Sequence, residues 1–364
     1  MSVRPLVESD LIQVTDLYWR FMRQKEGPAP AALRSFLHDL YFTNPWIDGA
    51  SSSLVYEGTA GKIVGFLGVI PRKMSVCGQP IRVAFGGNFV AHPEGRSHLA
   101  GPRLLGAYMN GPYDAWQTDS ANDLSRKLLE PLGFRTIPGL NIHWGRPLRP
   151  SHYGVYSISR AMGSAASSSL RIVAKPFCAV ADSMAARLSF SPFRQTEPKL
   201  RGEELDVETL LQCLEESRKG YSLWPEYDAQ SLEWLLRFMA RVTSRGVLRK
   251  VVVRDDSKKI VGWYIYYMQR GSVGEVVQIG GEPRFTRDIL SHLFYDAWAQ
   301  GVVALHGVVE MRQMPLFSDS GCFFTCRGGW TVTRCRQPEL LAILERGGAV
   351  LSRLDGEWCL DPGD

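Results

Sequence analysis

Apolar residues recur at helical spacing over residues 8–24 and 31–41, then alternate or run together over 53–57, 63–69 and 81–90, a spacing that predicts two helices and three strands. Residues 102–109 read as a helix, 113–118 as a strand, and 122–132 as a helix closed by Gly133. The later part of the chain repeats that order. Residues 206–218 and 231–241 are helical, 248–254, 260–268 and 274–279 are strand-like, 287–300 is a helix and 302–310 a strand.

The repetition reaches individual residues. Gly61-Lys62-Ile63-Val64-Gly65-Phe66 returns as Lys258-Lys259-Ile260-Val261-Gly262-Trp263 at an offset of 197, and the double glycine Gly86-Gly87 as Gly280-Gly281 at an offset of 194. A period this long means duplicated domains and not a solenoid. The expected division is 1–150, a linker and helix over 151–195, and 196–364. Residues 151–169 are rich in Ser, Gly and Ala without a sustained period, and 170–188 have helical spacing.

Composition narrows the class. Of 364 residues, 45% are hydrophobic and 22% charged, the balance of a folded globular chain. A net charge of +5 without a five-residue basic block makes nucleic acid an unexpected partner. No run approaches the roughly 18 apolar residues of a membrane span, and the first residues lack the apolar core of a secretory signal, so a cytoplasmic location is expected. Seven scattered cysteines read as free thiols. Cys322, Cys326, Cys335 and Cys359 lack paired C-x2-C spacing, so no metal is expected.

The segment from Phe89 to Leu105 runs from a strand through a polar loop into a helix. Pro102 suits a first helical turn, where a missing N–H leaves nothing unpaired. The loop aims backbone N–H groups at one point in front of the helix dipole, which makes an anion cradle, and Arg96 adds a charge able to clamp a phosphate. An ordinary strand-to-helix connection with a surface arginine fits the same shape.

Arg96-x-x-Leu99-x-Gly101 after Val90, followed by Asn122-x-x-Ser125-x-x-Leu128-Leu129-x-x-x-Gly133-Phe134, resembles the pyrophosphate loop and the following helix of the GNAT superfamily of acyl-CoA-dependent N-acyltransferases. The resemblance implies an α/β fold with a mixed sheet, two GNAT-like domains in tandem, and acetyl-CoA or another acyl-CoA as co-substrate. Phe89, Val90, Arg96, Ser97, His98, Leu99, Ala100, Gly101, Asn122 and Ser125 would hold it. Leu99 stands where the family has a loop glycine and Leu129 where many members carry a tyrosine acid. In the second half, Glu282-Pro283-Arg284 lacks the loop spacing, so that copy is expected to be degenerate.

The implied reaction moves an acyl group, acetyl in the first instance, to an amine of a small-molecule or peptide acceptor. Asp119 and His92, at strand ends, are the candidate bases. Asp119 also reads as a helix cap, and His92 as a loop residue bonded to backbone. Two other readings stand beside this one: a Fem-like aminoacyl or acyl-carrier-protein-dependent transferase, and a binding protein with a decayed site.

Overall fold

The computed structural model describes residues 1–48, 52–161, 164–326 and 329–363, the side chains of 96, 97 and 161–172 excepted. The first half of the chain supplies strands β1 (Ser2–Pro5), β2 (Leu54–Glu57), β3 (Ile63–Val76), β4 (Gln79–Ala91), β5 (Ala115–Ala121), β6 (Arg135–Thr136) and β7 (His143–Pro147). The second supplies β8 (Arg201–Glu204), β9 (Leu223–Pro225), β10 (Val247–Arg254), β11 (Ile260–Met268), β12 (Val273–Gly281), β13 (Ala304–Val308), β14 (Phe323–Thr325) and β15 (Trp330–Cys335). The helices are α1 (Leu11–Phe21), α2 (Ala31–Phe42), α3 (Ala100–Met109), α4 (Asp123–Leu129), α5 (Pro150–Ala161), α6 (Ser164–Arg187), α7 (Val207–Ser217), α8 (Ala229–Met239), α9 (Thr286–Ala299), α10 (Met314–Asp319) and α11 (Pro338–Glu345).

Two compact units result, each built on its own sheet. The first takes Met1–Pro138, Gly220–Arg241 and Gly328–Asp364; the second takes Gly139–Lys219 and Val242–Arg327. Among the described residues the first sheet runs β1-β2-β3-β4-β5-β15-β6, with β9 added to β3, and the second runs β8-β10-β11-β12-β13-β7-β14. The two orders match strand for strand. In each, one strand comes from the other half of the chain: β15 lies between β5 and β6, and β7 between β13 and β14. Each sheet has one parallel pair, β4 with β5 and β12 with β13, and in both the connection contains a helix, α3 or α9.

Burial follows this pattern. Leu67, Leu104, Leu105, Tyr108, Trp116, Leu129 and Val332 pack as one core, and Trp144, Tyr264, Leu290, Phe294, Leu305 and Phe317 as another. Leu129, at the tyrosine position of the resemblance, is therefore a core residue of the first unit.

Several expectations change. The strands read over 63–69 and 81–90 extend into a long hairpin, because Cys77 and Gly78 both have positive φ, 50° and 83°, and close a tight turn that carries the ladder past Pro71, Arg72 and Lys73. Residues 151–169, read as a linker, lie in α5 and α6 apart from the undescribed 162 and 163. A tertiary contact sets where that helix starts: Asp182 of α6 accepts from the backbone N–H groups of Ser151 (2.7 Å) and His152 (3.2 Å) at the start of α5. The helix read over 231–241 is α8 and belongs to the first unit, where Phe238 packs on Phe36 of α2 with ring centroids 4.3 Å apart.

The echo at offset 197 holds in space. Gly65 pairs with Ala91 and Gly262 with Gly281 at the same step of the two ladders. The double-glycine echo does not: the ladder matches Gly280 and Gly281 to Val90 and Ala91, and Gly86 to Val276. Strand register, set by side-chain burial, overrides the resemblance of the two glycine pairs.

Candidate active site

Strands β4 and β5 pair only at Val83–Ala115, Ala84–Trp116 and Phe85–Gln117, yet β4 continues to Ala91 and β5 to Ala121. Past Phe85 and Gln117 the ladder stops, leaving facing strand edges unpaired. A bulge in β4 at this point shifts its register against β3, and Asn88 takes a positive φ of 51°. Bulges re-aim backbone in this way beside functional sites. The Asn88 side chain donates to the Tyr41 hydroxyl at 2.7 Å, which ties α2 to the bulge. Gly68 makes room for it: a Cβ there would fall 2.1 Å from the Tyr41 oxygen.

A carboxyl group from the far end of the chain is lodged by these strands. Glu357 is buried, with 6% of its surface exposed, and its Oε1 accepts from Thr118 and from Ser120 (2.7 Å), both on β5. Its Oε2 is buried without a hydrogen-bond partner, 3.3 Å from where a Cβ on Gly87 of β4 would be. An unpaired buried carboxyl oxygen is costly and calls for a reason. Beside it, Asp119 Oδ1 accepts from the backbone N–H groups of Glu357 (3.1 Å) and Trp358 (3.0 Å). Gly356 permits that approach, since a Cβ there would fall 1.9 Å from Asp119 Oδ2.

Burial raises both carboxyls. Asp119 is pushed up to about 6, the backbone donors holding it back, and Glu357 is driven well above the carboxylate range by burial and by the neighbouring Asp119 charge. Two adjacent carboxyls so raised titrate as a pair and hold a proton at a pH where free carboxylates would release it.

The other candidates are placed as follows. His92 Nδ1 accepts from the Glu94 backbone N–H at 3.1 Å, and its ring meets Phe21 edge-on at 4.9 Å. Asn122 caps α4 by accepting from the Ser125 N–H at 2.8 Å, so the cap belongs to Asn122 and not to Asp119. Val90 is buried, and a Cβ on Gly101 would meet the Phe89 ring at 3.3 Å. The helix α3 starts at Ala100, two residues before the expected start, with Pro102 still in its first turn. Leu99 is its N-cap residue, 59% exposed, in the left-handed conformation at φ 55°. The His98 carbonyl accepts from the Tyr56 hydroxyl at 3.3 Å. The side chains of Arg96 and Ser97 lie outside the described residues.

No protein-family model and no curated protein matches the sequence. Solved structures do match. A protein of unknown function from Enterococcus faecalis V583, titled a probable N-acyltransferase, superposes with a TM-score of 0.58 at 10% identity, over 92% of this chain and 71% of that one. A GCN5-related N-acetyltransferase from Anabaena variabilis gives 0.58 at 11%, over 93% and 73%. N-myristoyltransferase from Saccharomyces cerevisiae, solved with bound myristoyl-CoA, gives 0.53 at 11%, over 91% and 78%. The chain has the GNAT fold, as a two-domain tandem.

The second GNAT-like unit keeps the frame and not the polar groups. Matching β13 to β5 through the parallel ladders puts Gly307, Val308 and Val309 where β5 and its continuation carry Thr118, Asp119 and Ser120. Before α9, Glu282 is engaged by Lys259 (2.5 Å) and by Arg284 (2.8 Å).

Glu357 was not among the sequence candidates. Its only local signal is an acid flanked by Gly356 and by Trp358, Cys359 and Leu360 after the last helix. Its partners on β5 lie 237 and 239 positions away, beyond the reach of spacing arguments. Among the described residues no three His, Cys, Asp or Glu side chains gather as a metal site requires.

Proposed function

We propose that the first unit transfers an acyl group, acetyl or longer, from acyl-CoA to an amine of a small-molecule or peptide acceptor, with Glu357 and Asp119 receiving the amine's proton. The observation that carries this reading is the buried, unpartnered Oε2 of Glu357 beside Gly87, where β4 and β5 cease to pair. The amine nitrogen attacks the thioester carbonyl carbon, its proton passes to the carboxyl pair, and the carbon–sulfur bond breaks to release CoA thiolate. A thiol with a pKa near 8.5 is a good leaving group, so a protein tyrosine acid at the Leu129 position is dispensable.

The rest of the site is assigned on the same reading. The first-turn N–H groups of α3 have no intrahelical partners and form the phosphate cradle with His98, Leu99, Ala100 and Gly101. A non-glycine residue in the left-handed region costs on the order of 1–2 kcal/mol, and Leu99 retains it because that conformation turns the loop into the helix. Arg96 and Ser97 complete the cradle, Phe89 and Val90 supply the strand edge along which the pantetheine arm lies, and Asn122 and Ser125 close the far side. His92 is left to hold the loop.

The test is release of free CoA thiol by the purified chain. A panel of acyl-CoAs is supplied with and without primary amines. Thiol release that needs both substrates supports the reading; acyl-CoA binding without amine-dependent release across the panel overturns it.

A further inference from the structure

The long helix α6 is apolar on the side that faces solvent. Its buried face is Cys178, Asp182 and Ala186, at 7%, 1% and 5% exposure, and Asp182 there holds the start of α5. At about 100° per residue, Val173, Phe177, Val180 and Met184 fall on the opposite side within a narrow stripe. They are 67%, 75%, 64% and 57% exposed, and Phe190 just beyond the helix is 83% exposed. A stripe of this kind on a helix that already has its buried face satisfied is a surface for a partner.

The charges around it say which partner. Residues 151–194 hold five basic side chains, Arg160, Arg171, Lys175, Arg187 and Arg194, against a single acid, Asp182. That acid is buried and occupied at the start of α5, while Arg160, Lys175, Arg187 and Arg194 are exposed. An apolar stripe with an exposed cation at its edge, Arg187, and no exposed acid within residues 151–194 is the pattern of a helix lying in a membrane interface, its apolar side chains among the acyl chains and its cation at anionic headgroups. A second copy of this chain fits worse, since a symmetric contact would bring the same cations to face each other without acids to meet them. No helix among the described residues is long and apolar enough to cross a membrane, so the contact is one of lying on the surface.

We infer that α6 docks the chain on an anionic lipid surface through Val173, Phe177, Val180 and Met184, with Phe190 and with Arg187 beside the stripe. None of these residues belongs to the proposed acyl-transfer site, so the inference stands apart from that reading. The experiment is co-sedimentation of the full chain with vesicles of phosphatidylcholine, with and without phosphatidylglycerol. The wild type sediments with the phosphatidylglycerol vesicles and stays in solution with phosphatidylcholine alone. The variant Phe177→Gln, Val180→Gln, Met184→Gln keeps good helix formers at exposed positions, so its melting temperature stays that of the wild type while its vesicle affinity falls about tenfold or more. Arg187→Gln weakens binding about fivefold, as a cation lost from an anionic surface does. Equal sedimentation of wild type and triple variant, or none for the wild type, overturns the inference. A dimer in analytical ultracentrifugation that the triple variant dissolves overturns it as well, in favour of the second copy.

Discussion

In the first unit the strand past the end of the parallel ladder carries Thr118, Asp119 and Ser120; in the second the matching positions are Gly307, Val308 and Val309. The consequences are chemical. The first set holds a buried acid, Glu357, with two hydroxyl donors and gives Asp119 two backbone N–H groups. The second set is closely packed against aromatic rings: a Cβ on Gly307 would fall 2.8 Å from Trp144 Nε1, which is buried without a hydrogen-bond partner, Val309 is buried, and a Cβ on Gly280 would lie 2.1 Å from the Trp263 ring. Buried apolar side chains stabilise, whereas a buried carboxyl with an unpaired oxygen costs free energy. One frame is thus used in two ways: the first unit gathers polar groups at positions where the second carries Gly307, Val308 and Val309.

The sharpest way to break this comparison is to remove the acids. Glu357→Gln keeps the side-chain volume and lowers kcat by about 10² to 10⁴-fold, the usual contribution of a general base, while acyl-CoA affinity changes little. Asp119→Asn gives a loss of similar order, and the double variant is little worse than the worse single one, because groups that act as a unit are not additive. Glu282→Gln, in the second unit, leaves turnover unchanged. Steady-state kinetics with a fixed acyl-CoA and amine check all four, and wild-type kcat in Glu357→Gln would remove the carboxyl pair from the reaction.

Binding separates the units next. Calorimetry with CoA should give one site per chain. Arg96→Ala weakens it by about 10- to 100-fold, the equivalent of a charge-assisted phosphate contact of about 1.5–3 kcal/mol, and the loss shrinks as salt rises. Arg284→Ala leaves the site intact, because Arg284 serves Glu282. Two equivalent sites, or a site lost with Arg284, would show that the active and degenerate copies have been interchanged.

What the sequence could disclose follows how far apart the contacts are. The apolar runs within 63–69, 81–90 and 260–268 fix β3, β4 and β11 because strand alternation and burial are local properties. The strand–loop–helix–strand–helix segment from Phe89 to Phe134 was legible for the same reason. The exchange of β7 and β15 was not, since His143 pairs with Val308 and Trp330 with Ala121, and nothing within a window of residues reports a partner that distant. Asp119 could be singled out as a strand-end acid, but the bond that decides its role comes from residues 238 and 239 positions later. The helix α5 was hidden because its start depends on Asp182, which lies about thirty residues later.

A smaller effect tests how closely the tail must fit. Gly356→Ala puts a Cβ where Asp119 Oδ2 now lies, so the segment carrying Glu357 must move; overpacking of this kind costs about 1–3 kcal/mol. Gly87→Ala, whose Cβ would stand 3.3 Å from Glu357 Oε2, asks for a shift of a few tenths of an ångström and costs less. Melting temperatures that rank the two variants the other way would mean that the tail does not seat on β5.

The smallest expected effect is the pH dependence of stability, and it has a definite sign. A carboxyl whose folded pKa is raised binds its proton more tightly in the native state than in the unfolded chain. Its contribution is fully present below the unfolded value, near 3.9 for Asp and 4.3 for Glu, and is lost as pH rises through the folded value. Asp119 places that loss around pH 6 and Glu357 extends it higher. Carboxylates held low by N–H donors or by arginine, such as Asp206, Asp228 and Asp10, act in the opposite sense, but only as pH falls below about 4. Between pH 5 and 8 the raised pair therefore governs the difference between wild type and Glu357→Gln, which cannot ionise. The melting temperature of the variant relative to wild type should climb steadily over that interval. A difference that stays level or falls with pH would mean that Glu357 is not held as a buried acid beside Asp119, and the contrast with Val308 in the second unit would lose its chemical meaning.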